Sequence, residues 1–455
     1  MIYLRFLPII SFWFVYLVTC VFASIPLILG NSPFKLLLHY FSGLEVPEYD
    51  EAQTATFVLL LIGGGVLLSL GFFLAVFIFA RGRSGDLTLR PRLEYGRQYI
   101  PWGIFICLGL IAIADLARVL SIDDLNAWRD YGQMVVARFK LFSQLGYFSF
   151  ANLYVGIPTI AAWLFLVGAV KNGSVNRISW LAPAFSMFTL LFLFQKKAIV
   201  SALIFFLSSF LLFKAFENVK MHFPKKALGL GLSALAVTYF ALVVLPVYHE
   251  TTTTAEMAFS ETVEDPNSMR SQLAAKIQSL LGTSRSVHIF AYSTLAPLTR
   301  TSVPAMFYPV VYPDRHAFIG LDLGQDILGI GEMPNDNKVI WEHMYGALPG
   351  SAAAPFQFVL YSQVGTLGAL VLSAVLGCLM GCAWSVLLRY RASSPIAMSL
   401  YGGLIILFSV FIAIDSVRGA LVASYGVIWG FLIVAIVSAS VNWKRFSKFS
   451  VHNRS

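Results

Sequence analysis

The chain has 455 residues, 58% of them hydrophobic and only 12% charged, with a net charge of +9. A soluble chain carries roughly a quarter charged residues and just under half apolar ones. This composition therefore excludes a water-soluble globular enzyme, a disordered protein and a disulfide scaffold. It leaves a polytopic membrane protein, because several stretches reach the roughly 20 apolar residues that cross a hydrocarbon core.

In chain order, ten apolar segments predict spans at 6–30, 55–80, 98–120, 150–170, 178–195, 198–213, 227–247, 354–387, 395–415 and 420–441. This organises the chain as spans one to seven in 1–247, a large loop in 248–353, spans eight to ten in 354–441 and a basic tail in 442–455. The first segment opens with a basic residue and ends Leu-Val-Thr-Cys20. A secretory or lipoprotein signal is one reading of it. An uncleaved span fits better, because the run stays apolar to Leu29 and has no A-x-A site. Segments five and six are separated only by Gln195, Lys196 and Lys197. One long broken helix would turn the basic tail outward, so two spans with a tight turn are expected. The eighth segment is too long for one perpendicular span and is expected to begin with an interfacial piece near Pro355. Cys20, Cys107, Cys378 and Cys382 all lie in apolar runs and read as packing residues.

Charge sets the expected orientation. One set of loops and termini holds 18 of the 32 cations but only Asp86, Glu94 and Glu217 of the 23 acids. It nets +15 against −6 for the rest of the chain. Cytoplasmic loops are enriched in Lys and Arg, so the +15 side, with both termini, is expected inside. The overall positive charge thus belongs to topology, and no nucleic-acid partner is expected. No G-x-x-x-x-G-K-[ST], G-x-G-x-x-G, CxxC or HExxH motif is present. Nucleotide-driven transport, nicotinamide chemistry and zinc hydrolysis therefore gain no support, and no cofactor or metal site is expected.

The long loop reads as folded. Asp265-Pro266 has the form of a helix start. Met269, Leu273, Ile277, Leu280 and Leu281 recur at helical spacing up to Gly282. A second helix is expected at about 286–296, beside Arg285 and carrying His288. There follow the aromatic, Pro-rich stretch Met306–Pro313, a turn-rich stretch from Asp314 to Asp336, and a short helix at Val339–Tyr345. The loop's cations are Arg270, Lys276, Arg285, Arg300, Arg315 and Lys338, with His249, His288, His316 and His343. Any one of these arginines is most simply solvated surface. As a set they sit on the side where the positive-inside rule gives them no purpose.

Three further groups of charge lie at the membrane edge on that side: Lys196 with Lys197, Asp415 with Arg418, and Asp115 with Arg118. Charge at membrane depth costs several kcal/mol unless paired or hydrated and marks function by default. The plain alternative is snorkelling or a local pair at i,i+3. A cationic cavity at the outer leaflet suits an anionic lipid head group, most simply phosphate or pyrophosphate. The loop's aromatic, carboxylate and amide side chains suit a sugar, and a lipid-linked saccharide satisfies both.

Ten or so spans, one large outer loop in the second half and the lysine turn Phe194-Gln-Lys-Lys197 together resemble the bacterial O-antigen or repeat-unit polymerases of the Wzy type. The junction from Pro349 through Pro355-Phe-Gln-Phe to Gly368, and the spacing of Arg315 from Gly331, resemble that family as well. The resemblance implies an all-α polytopic membrane protein of about ten transmembrane helices, a GT-C-like bundle. Its large, partly helical periplasmic loop would lie between spans seven and eight. It also implies a metal-independent glycosyltransferase of the bacterial inner membrane that serves O-antigen or exopolysaccharide synthesis. The substrate is an undecaprenyl-pyrophosphate-linked oligosaccharide, and a chain-length-regulating co-polymerase is an implied partner. Cations must stabilise the departing pyrophosphate, a role expected of Lys196, Lys197, Arg285, Arg300, Arg315 and Arg418. A base must take the acceptor's proton, and His288, His316 and Asp314 are the three candidates. An O-antigen ligase and a transporter of an anionic lipid or solute are the rival readings.

Overall fold

The computed structural model describes residues 2–28, 32–81, 99–126, 131–171, 180–193, 196–217, 248, 252, 269–321, 336–346, 352–390, 394–423 and 426–452. Among these the regular structure is entirely helical. Seven helices are long and apolar enough to cross a membrane. They are α1 (Leu4–Ile28), α3 (Glu51–Phe79), α4 (Ile100–Val119), α6 (Phe148–Gly168), α8 (Ala198–Phe216 of the helix Lys196–Glu217), α13 (Phe356–Tyr390) and α14 (Pro395–Ile412). They coincide with seven of the ten expected segments. A shorter apolar helix, α7 (Leu181–Leu191), stands where the fifth was expected, and α15 (Val427–His452) covers most of the tenth. The expected span 227–247 lies outside the described residues.

Large apolar side chains face outward along the spans, among them Phe14, Leu70, Leu110, Leu367 and Leu379. Water would not tolerate such a belt on a monomer, and a bilayer does. The chain is a helical membrane protein. α6 and α14 are its most enclosed spans and form the centre.

The tightest packing joins α3 to α13, and small residues make it possible. A Cβ on Gly71 would overlap the carbonyl oxygen of Ala374, and one on Gly377 would overlap that of Leu68. In lipid, helices associate by such close backbone approach rather than by a hydrophobic drive. Polar side chains add ties within the bundle. Trp13 donates to Ser69 Oγ at 2.7 Å, Tyr16 donates to the carbonyl of Leu61 at 2.6 Å, and Gln357 donates to the Tyr16 hydroxyl.

Short helices gather at one end, the loop face. α2 (Pro33–Ser42) is capped by Ser32 and ends at Gly43, and α9 (Met269–Leu281) packs on it. α9 stops at Gly282, whose φ of +81° an L side chain rarely adopts. The expected start at Asp265-Pro266 lies outside the described residues. α10 (Arg285–Thr299) and α12 (Asp336–Tyr345) extend the two other expected loop helices by a few residues. α5 (Tyr131–Gln144), unlike these, was not anticipated. From it Lys140 meets Asp124 at 2.6 Å, and with Ser121 it holds the Asp124 carboxyl down to about 2.

The Pro-rich stretch, for which the sequence suggested no regular structure, lies in a helix, α11 (Ser302–Val311), with nearly every side chain buried. Tyr49 donates to the carbonyl of Met306 at 2.5 Å, and Thr301 donates to that of Thr19 at 3.2 Å, so α11 is fastened between other elements. α13 is kinked at Gly365, at φ +71°. The kink takes the carbonyls of Ser362 and Gln363 out of the helical ladder, and the amides of Ile319 and Gly320 bond to them at 2.8 and 3.0 Å. This cross-link fixes the segment 316–320 over the start of α13. The kink also sets off residues 356–364 as a separate opening piece of α13.

Candidate functional site at the loop face

Three spans carry a π-helical turn, at Leu17–Val21, Leu59–Gly63 and Asn152–Gly156, and a fourth such turn, Gly419–Ala423, lies between α14 and α15. Such turns misalign the backbone ladder and concentrate at functional positions. The last two border a polar cluster at the heart of the loop face.

The centre of that cluster is Asp415, in the turn between α14 and α15. It is 4% exposed, and it is the only buried acid among the described residues. Its Oδ1 accepts the amide of Ser416 at 2.7 Å. Gly419 lies against the carboxylate so closely that a Cβ there would fall 2.6 Å from Oδ1. The charge acts on the phenols of both Tyr154 in α6 and Tyr308 in α11. Tyr154 Oη lies 3.5 Å from Ser201 Oγ, which brings the first turns of α8 to the same place. Three residues after Asp415, Arg418 is half-buried and its Nε has no hydrogen-bond partner among the described residues.

Lys196 and Lys197 open α8. They were expected in the turn, but the turn falls at 192–193, where Leu193 bonds back to Leu190 at 3.2 Å. Lysine is a good helix former and Leu193 is buried, so the helix takes both lysines. The separation of α7 from α8 matches two segments rather than one. Two lysines at a helix start add positive charge to the positive end of the helix dipole.

Tyr308 links this cluster to a rim above it. Its hydroxyl donates to Asp336 Oδ2 at 2.6 Å, tying α11 to α12. Burial first, then the Asp336 carboxylate, push the phenol well above its ordinary range. The rim itself is aromatic and cationic. Tyr312 stacks on Phe318 with planes 8° apart, His316 meets Tyr312 at 5.4 Å, and Phe318 meets Tyr361 edge-on at 5.5 Å. Tyr361 donates to the Tyr312 carbonyl at 2.5 Å. Trp341 and Tyr345 pack at 4.4 Å.

The structure thus sorts the expected site residues into three groups. Arg418 follows Asp415 by three residues, and Lys196 and Lys197 open α8, whose Ser201 meets Tyr154. Arg300, Asp314, Arg315 and His316 belong to the rim. Arg300, Asp314 and Arg315 are exposed, while His316 is half-exposed and its Nδ1 lies 2.8 Å from the carbonyl of Ala317. Arg300 acts electrostatically on Tyr345, Asp314 on Tyr361, and Arg315 reaches His343. Arg285 and His288 stand apart, against α2 and α9. There His288 is buried with Nε2 2.8 Å from the carbonyl of Gly282. Asp115 and Arg118 form a local pair at 3.7 Å, and Ser149 also bonds Asp115, so this pair has the plain explanation. Gly331 and Pro349–Ser351 lie outside the described residues.

The sequence marks Asp415 as an edge charge without a role and His343 only as one of the loop's histidines, and it does not single out Tyr308 or Asp336. Asp415 carried a signal, an acid in a very short polar turn between two apolar spans. The others carried none, because their value comes from a fold the sequence does not display. Among the described residues no three His, Cys, Asp or Glu side chains converge as a metal site would require. No family model, no curated protein and no solved structure matches this chain.

Proposed function

We propose that this protein is a membrane glycosyltransferase that polymerises lipid-pyrophosphate-linked oligosaccharide units at the loop face. In this reading the loop face is periplasmic, the bundle has about ten spans and the membrane is the bacterial inner membrane. The observation that carries it is the stacking of two layers at one end of the bundle. Arg418 follows the buried carboxylate of Asp415 by three residues, Lys196 and Lys197 open α8, and an aromatic, cation-bearing rim belongs to the same end. The lower layer suits a pyrophosphate at the membrane surface. The upper layer suits sugar rings, whose apolar faces stack on aromatics and whose hydroxyls need polar partners. The donor is a glycan on undecaprenyl pyrophosphate, and a second lipid-linked unit supplies the attacking hydroxyl. A chain-length-regulating co-polymerase is the expected protein partner.

Deleting the gene and resolving the cell's glycans on a gel tests this. Loss of the ladder with a single repeat unit retained supports polymerisation. Loss of all glycan from lipid A means a ligase, and an unchanged pattern discards both. Orientation is tested separately. Glu45→Cys and Lys338→Cys, both at exposed positions of the loop face, should react with an impermeant thiol reagent on intact spheroplasts. Arg389→Cys, exposed at the far end of α13, should react only after permeabilisation. The reverse pattern overturns the orientation.

A further inference from the structure

We infer that Asp415 is the general base that takes the proton of the acceptor hydroxyl, an assignment that rests on the proposed glycosyl transfer. An acid at membrane depth is costly and is retained for a task, and among the described residues Asp415 is the only one so buried. It lies in the turn after α14, near Tyr154 of α6, whose hydroxyl meets Ser201 in the second turn of α8. The Ser416 amide holds one oxygen, and Gly419 gives the carboxylate room that any side chain would take away. Arg418, three residues on, is assigned to hold the leaving pyrophosphate.

The other acid and base candidates are placed less well. Asp314 is exposed and His316 half-exposed on the rim, where water would compete with the acceptor sugar. His288 faces the carbonyl of Gly282 on the α2 side, away from this cluster. In the step assigned here, the bond between the anomeric carbon and the pyrophosphate oxygen breaks and its electron pair leaves with the pyrophosphate. The acceptor oxygen forms the new bond to that carbon, and its proton passes to the Asp415 carboxylate.

The test uses the full-length protein in nanodiscs. Its substrate is the lipid-linked saccharide extracted from a strain lacking this gene, and chain extension is read on a gel. If the wild-type protein extends nothing, the proposed function fails and the role of Asp415 lapses with it. If the wild type is active, Asp415→Asn, which keeps an acceptor for the Ser416 amide, should lose about 10²- to 10⁴-fold in rate. Azide needs no proton removed, so adding it to Asp415→Asn and Asp415→Ala should yield a glycosyl azide detectable by mass. A merely positional role would give no such rescue. Activity of Asp415→Asn within about threefold of wild type overturns the assignment. So does the absence of glycosyl azide from both variants, or an azide-rescued loss in His316→Asn instead.

Discussion

Arg315 Nη1 lies 3.3 Å from His343 Nε2, joining the end of α11 to α12 across the rim. A guanidinium can only donate, so this contact requires an unprotonated Nε2. Burial first, then the Arg315 charge, hold the imidazole below its ordinary value of 6.5. A histidine depressed in the fold binds fewer protons there than in the unfolded chain. The stability it lends is therefore present above pH 6.5 and is lost as pH falls below that value.

Reactivity of His343 toward diethyl pyrocarbonate, followed by mass spectrometry across pH, should accordingly show a midpoint below 6.5. Arg315→Gln removes only the second cause, so the midpoint should move up part of the way and stay depressed by burial. A wild-type midpoint at or above 6.5, or none of that upward movement in the variant, would show that the contact does not form.

The α3–α13 seam makes a second prediction. Gly377 and Gly71 sit where any Cβ would strike backbone of the facing helix, and backbone cannot swing aside as a flexible side chain can. Gly377→Ala should therefore lower the yield of folded protein and the melting temperature in detergent, with a destabilisation of about 1–3 kcal/mol from overpacking. Gly103→Ala is the control, because nothing lies within 4 Å of a Cβ there. Equal melting temperatures for the two variants would mean that the helices are not this close.

These residues show what was legible beforehand. Apolar length marks a span whatever it packs against, so seven spans, including the two-part opening of α13, could be read directly. Gly282 announced the end of α9 because a helix stop is local chemistry. α11 could not be read. Pro309 argues against a helix interior, and burial by surrounding elements overrides it. The seam at Gly377 was equally silent, since the partner of a small residue is a matter of tertiary structure. The site was half visible. Charges at the membrane edge stood out, but burial separates Asp415 from Asp115, and burial belongs to the fold.

The last prediction concerns Arg418 and Lys197. Arg418→Ala and Lys197→Ala should abolish the glycan ladder while protein level and membrane insertion stay near normal. On the proposed orientation neither cation favours the topology, because both stand on the side where positive charge is disfavoured. Arg418 Nε is buried without a hydrogen-bond partner among the described residues. If its task were only to neutralise a buried acid, removing it would destabilise the fold by about 3–5 kcal/mol and the protein would be lost. If its task is a pyrophosphate, the loss falls on the transition state, roughly 2–4 kcal/mol or about 30- to 1000-fold in rate, with the fold intact. Arg418→Lys should recover little, since an ammonium cannot reproduce a two-pronged contact, and Lys197→Arg should recover more. Full-length ladders from both alanine variants at native expression would remove these residues from the site and move leaving-group stabilisation to Arg300 and Arg315 on the rim.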